Sequence, residues 1–107
     1  MNQKFKTLTP SEAKDFGGWL VGYFNGTRQE IEERFGAPTF FTNYDSEKVT
    51  VEWIIEFEDG TTASIYDWKR YTAGTPAMNE FYEWHVGGQD EKSVKLVADA
   101  LAKTFHK

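Results

Sequence analysis

Two short segments concentrate the side chains of this chain that can do chemistry. The first is Ile65-Tyr66-Asp67-Trp68-Lys69, and the second is Trp84-His85-Val86-Gly87-Gly88. Between them they hold two of the four tryptophans, one of the two histidines and a Gly-Gly pair. Aromatic rings with a polar edge can stack a flat or cationic group and still orient it by a hydrogen bond. Lys69 and Arg70 add positive charge at the end of the first segment. Gly87-Gly88, read as a tight turn before a helix, would offer free amides to a phosphate. Asp90 and Glu91 oppose that reading, because they cap a helix well and repel anions. The candidate ligand site is therefore Tyr66, Asp67, Trp68, Lys69, Arg70, Trp84, His85, Gly87 and Gly88, and the candidate ligand is a small nucleotide-type molecule. The competing reading buries the same rings beneath a C-terminal helix.

Other chemistries are poorly supplied. The chain has no cysteine, which excludes disulfides and thiolate metal sites. His85 with Asp67 and Glu83 could meet around a cation only if the strand placed all three on one side. General-base catalysis would need His85 paired with Asp67 near Ser64 or Tyr66, and none of these sits in a nucleophile elbow. The sequence thus leads to a binding protein with no metal, no cofactor and no catalytic residue.

The charge pattern offers a second candidate. The net charge is −5, and nine acids between Arg28 and Gly60 face only Arg28, Arg34 and Lys48. Direct nucleic-acid binding is not expected, since it requires clustered Lys and Arg. An acidic face carrying Glu30, Glu33, Glu52 and Glu56 would instead suit a basic protein partner, or imitate nucleic acid before a nuclease. No apolar run approaches the ~20 residues of a membrane span, and the first ten residues lack the apolar region of a signal peptide. A cytoplasmic protein that does not bind membranes is the expectation.

The elements that must position these residues follow from periodicity. At 107 residues the chain is read as one domain, residues 1–107, able to bury roughly two thirds of its unfolded surface. Thr9-Pro10-Ser11-Glu12 carries the grammar of a helix start, and Thr27-Arg28-Gln29-Glu30 repeats it, with Gly36-Ala37-Pro38 as the stop. Trp19 to Phe24 is predicted as a strand closed by an Asn25-Gly26 turn, and as an edge strand it could pair with a second copy in a homo-oligomer.

From Val49 to Phe57 the apolar residues alternate with period two. Glu58-Asp59-Gly60 then turns the chain into Thr61 to Trp68. Of two registers, the preferred one has a three-residue loop with Gly60 left-handed, setting Trp53 opposite Ile65 and Ile55 opposite Ala63. Asp67 then points inward and needs a partner: Lys69, Arg70, His85 or backbone amides. The sum is an α+β fold. An antiparallel sheet is built round a central hairpin (about 48–57 and 61–68) with a further strand (about 81–86). Helices pack it, including a C-terminal helix (about 90–105) with Val94, Val97, Ala98, Leu101 and Phe105 on its buried stripe.

Phe35-Gly36-x-Pro38, Glu52-Trp53, Phe57-Glu58-Asp59-Gly60 and the two aromatic segments, in that order, resemble a group of small uncharacterised bacteriophage accessory proteins. The likeness spans roughly residues 27 to 100. It implies a phage protein made during infection, acting in the host cytoplasm against host defence. On that reading the partner is either the small nucleotide-type signal or a host defence protein.

Overall fold

The computed structural model describes residues 4–14, 16–42 and 47–107, with Thr72 described by its backbone alone. Asp45, part of the acidic segment, lies outside the described residues. Among the described residues the fold is α+β: an open antiparallel sheet of seven strands packed by two α-helices. In chain order these are β1 (Phe5–Thr7), β2 (Trp19–Thr27), α1 (Arg28–Phe35), β3 (Phe40–Phe41), β4 (Val51–Phe57), β5 (Thr62–Tyr66), β6 (Phe81–Gly88), α2 (Glu91–Leu101) and β7 (Phe105–His106). The sheet runs β1-β4-β5-β6-β2-β7, with β3 sharing the outer edge of β4 beside β1.

The central hairpin takes the three-residue register. Trp53 lies opposite Ile65 and Ile55 opposite Ala63, while Gly60 has φ +90° and closes the loop through its amide to Phe57 O at 2.9 Å. Strand alternation then separates two faces. Trp53, Ile55, Ile65, Trp84, Val86 and Phe24 face the helices and are buried with Ile31, Phe35, Val94 and Val97. At the centre the Trp53 and Trp84 rings meet edge to face at 5.7 Å. Both indoles are satisfied there: Trp53 Nε1 donates to Gly36 O at 2.9 Å, and Trp84 Nε1 to Gly26 O at 3.1 Å.

The first helix start does not propagate. Thr9 and Glu12 form both capping hydrogen bonds, but among the described residues turns rather than an α-helix follow. Isolated turns fix several dihedrals for few bonds, and among the described residues of this segment Ala13 alone is buried to hold them. At Thr27 the same grammar succeeds: the capping box is complete and α1 buries Ile31 and Phe35.

Three further expectations are corrected. Asn25-Gly26 is no turn, because β2 runs through it to Thr27 against the far end of β6. Nor is β2 an edge, since it lies between β6 and β7. Finally, α2 stops at Leu101 with Ala102 in the left-handed conformation, so Phe105 belongs to β7 rather than to the helix. No helix among the described residues is long and apolar enough to cross a membrane.

Candidate functional site

The two aromatic segments divide between the faces of the sheet. Tyr66 stands directly opposite His85, so both point away from the helices, whereas Tyr82 and Trp84 point toward them. Trp84 is fully buried, while Trp68 is 39 % exposed and Trp19 is 61 % exposed. The core reading therefore holds for Trp84, and the surface reading for Tyr66, Trp68 and His85.

On the open face the ladder aligns Glu52, Tyr66, His85, Tyr23 and His106 in one row across β4, β5, β6, β2 and β7. The Tyr66 and His85 rings lie 5.5 Å apart, Tyr23 meets His85 edge to face at 4.9 Å, and Tyr23 stacks on His106 at 5.4 Å. Trp68 closes over His85 at 6.1 Å. Packing among these rings pushes the His85 imidazole pKa down, because burial disfavours its cation, although Glu83 and Asp67 pull the other way. Its Nδ1 is buried and has no hydrogen-bond partner among the described residues.

Beside this row lies a cleft of about 230 Å³. Its floor is the sheet itself, at Glu52, Ser64, Tyr66 and Gly87; its walls are Phe16, Trp19, Val49 and Trp68. Each wall has a cause in the local fold. The Lys69 amide donates to Lys48 O at 2.7 Å, which draws Val49 alongside Trp68. Gln89 Nε2 donates to Gly17 O at 2.7 Å and holds the Phe16 to Gly18 segment against the end of β6. Lys69 adopts φ +52°, an uncommon conformation for a residue with a side chain, and its ammonium lies 5.5 Å from the Trp68 ring centroid.

Gly87 and Gly88 are strand residues, flanked by β5 on one side and β2 on the other. Their backbone belongs to the ladder, so the phosphate-turn expectation is corrected. Glycine is needed here for close approach. A Cβ on Gly87 would lie 2.7 Å from Ser64 Oγ, and one on Gly88 would lie 2.1 Å from Ser93 Oγ in the first turn of α2. Gly87 thus lets Ser64 and Tyr66 lie low over β6, which is what makes the floor a floor.

The remaining candidates sort as follows. Asp67 is fully buried on the helix side. Its carboxylate accepts from the Thr50 amide at 2.7 Å, the Val51 amide at 3.0 Å and Thr50 Oγ1 at 2.6 Å. Backbone amides are therefore its main partners, and it shares no face with His85, so neither an Asp–His pair nor a cation site forms from them. Arg70 grips Glu80 with two hydrogen bonds, at 2.6 and 3.0 Å, and Gly74 O with a third at 2.6 Å, whereas Lys69 lies over the ring of Trp68, a cleft wall.

The acids do not form one face. Glu30 closes the capping box and pairs with Lys103 on the helix side, and Glu33, on the same helix, accepts from Gln29, whereas Glu52 and Glu56 belong to the open face of β4. Glu52, read from the sequence as part of the acidic face, lines the cleft. The signal was present: the preferred register sets Glu52 opposite Tyr66, one residue out of phase with Trp53. Burial, and secondarily the Asp67 charge, push its carboxyl pKa above the usual value, against a hydrogen bond from Ser64. Burial and the neighbouring Glu52 likewise raise the Tyr66 phenol.

No protein-family model, curated protein or solved structure matches this chain.

Proposed function

We propose that this chain is a non-enzymatic bacteriophage-type accessory protein that sequesters a small nucleotide-type ligand in counter-defence. The ligand's flat ring would enter the open-face cleft between Trp19, Trp68 and Phe16, over Tyr66, with its charged end toward Lys69. The observation that carries this reading is the cleft itself, with aromatic walls held on a rigid sheet and one polar cluster on its floor. Sites for small molecules combine an apolar lining with a few placed polar groups. Drug-sized ligands occupy roughly 300–1,000 Å³, so this smaller cleft suits one ring system, with the remainder of the molecule outside.

Native mass spectrometry after incubation with the small-molecule fraction of an infected-cell extract tests the reading. A retained mass of nucleotide size on the wild type, lost on Trp68→Ala, is the expected result. A clean apo mass, or retention unaffected by Trp68→Ala, contradicts it.

A second reading, inhibition of a host protein, finds support away from the acids. Exposed Phe41, Met78 and Phe81 all adjoin the start of α1, where Arg28 lies over the Phe41 ring at 5.4 Å. Loss of inhibition on Phe41→Ser with Phe81→Ser, and not on Trp68→Ala, would select it.

A further inference from the structure

The floor of the cleft has a property that its aromatic walls do not explain. Glu52 is a carboxylate largely withdrawn from water among Phe16, Val49, Tyr66 and Trp68, and no Lys or Arg among the described residues forms an ion pair with it. The other carboxylates of the cleft's neighbourhood are provided for. Asp67 accepts three hydrogen bonds, and Glu80 holds Arg70. Glu52 has the Ser64 hydroxyl. An ionised carboxylate only accepts hydrogen bonds and has about four lone-pair directions to fill. A single hydroxyl leaves most of them open, and they border a space the size of one ring system.

We propose that Glu52 is the specificity-determining residue of the cleft and that the group it selects is a planar head with two adjacent N–H donors, which among nucleobases is guanine. The inference rests on the cleft being the ligand site and names the class of ligand. The chemistry is one of donors and acceptors. Guanine presents its ring N–H and its exocyclic amine side by side on one edge, so both can point at one carboxylate, with the charge-assisted geometry that makes such pairs short and strong. Adenine and cytosine place a ring acceptor beside their amine, and that lone pair would face the carboxylate. Uracil and thymine flank their single N–H with carbonyls. The walls add the second requirement: Trp19, Phe16 and Trp68 reward a flat π-face, and stacking on an aromatic ring favours every base alike. Stacking therefore supplies affinity without choice, and Glu52 supplies the choice.

The same logic sets the orientation. With the donor edge against Glu52 on the floor, the ribose and phosphate would leave through the mouth; the nearby Lys69 ammonium, 5.5 Å from the Trp68 ring centroid, is a cation they could reach. Gly87 keeps the floor low enough for the edge to reach the carboxylate, since a side chain there would compete with Ser64 for space.

Isothermal titration calorimetry with guanosine, inosine and adenosine, on the wild type and on Glu52→Gln, tests the proposal. Inosine retains the ring N–H and lacks the amine. The expected order is guanosine first, inosine weaker by about tenfold and adenosine weaker still, because each donor lost leaves the carboxylate less satisfied. Glu52→Gln should lose about tenfold or more for guanosine and little for adenosine, with an unchanged circular dichroism spectrum. Guanosine and adenosine binding alike, with both lost in Trp68→Ala, would overturn the guanine assignment and leave the cleft as a ligand site. Binding of none of the three would overturn the assignment too; a nucleotide-sized adduct in the native mass spectrum would then keep the cleft reading, and a clean apo mass would end both.

Discussion

Glu52 and Tyr66 face each other directly across the β4–β5 ladder, on the side of the sheet that carries no helix. Two acidic groups thus share a half-buried floor, and the charge on Glu52 helps hold the Tyr66 phenol above its usual pKa. Nothing in the packing of the sheet calls for a carboxylate at this position, and functional groups of this kind are held at the expense of stability.

Glu52→Gln is accordingly expected to stabilise the fold at neutral pH by roughly 1 kcal/mol. The pKa of Glu52 is raised in the folded state, so folding penalises its ionised form. That penalty is full above the folded pKa and fades as pH falls from there to the ordinary carboxyl value of 4.5. Urea denaturation of both proteins between pH 8 and about pH 4 should show the advantage of the variant shrinking with acidity. An advantage that grows on acidification would show that the carboxylate is stabilised where it stands.

Trp68 and Trp84, which look equivalent in the sequence, should behave oppositely. Trp84→Ala empties the centre of the core beside Trp53 and orphans Gly26 O; it is expected to cost about 3–5 kcal/mol. Trp68→Ala removes a partly exposed ring and its cation–π contact with Lys69, worth about 1 kcal/mol, while removing a wall of the cleft. Thermal unfolding of the two variants separates them, and equal losses would refute the division of faces.

That division explains how much the sequence revealed. The period-two run from Val49 and the Glu58-Asp59-Gly60 turn specify the hairpin, and with it the inward Asp67 and outward Tyr66 and Trp68. The offset between strands 62–66 and 81–88 is not local information. Only the ladder shows that Tyr66 meets His85, sending Trp84 to the other face. Gly87-Gly88 misled for a related reason: glycine serves both turns and close packing, and what decides is Ser64 and Ser93, which lie far away in sequence. Thr9 and Thr27 carry the same capping grammar, yet only Thr27 is followed by residues with a core to pack against.

Asp67 is expected to be structural. Asp67→Ala would leave the Thr50 and Val51 amides without an acceptor and break the chain in which Thr75 Oγ1 donates to Thr50 Oγ1 at 2.7 Å. A loss of about 3 kcal/mol or more follows, with ligand affinity of the folded fraction unchanged. Chemical denaturation combined with titration of guanosine checks both halves.

His85 should make stability sensitive to mild acid. Its folded pKa is lowered, so the unfolded chain takes up a proton first as pH falls through the ordinary value of 6.5, and the native state is progressively disfavoured. Tyr23, Tyr66, Trp68 and Glu83 surround it on the open face, and the Asp67 charge acts from beyond the sheet. His85→Gln is expected to flatten the fall in stability between about pH 7 and pH 5. An unchanged slope would place the effect elsewhere.

The most direct test uses the four tryptophans as reporters. Protein labelled with ¹⁵N at the indoles would be titrated in turn with guanosine and adenosine monophosphates and followed by two-dimensional NMR. Trp19 and Trp68, which wall the cleft, are expected to shift with whichever nucleotide binds, while Trp53 and Trp84, held in the core by Gly36 O and Gly26 O, stay in place. Movement of Trp53 or Trp84 with Trp19 and Trp68 unmoved, or no movement of any indole at millimolar nucleotide, would contradict the assignment of the open-face cleft as the ligand site.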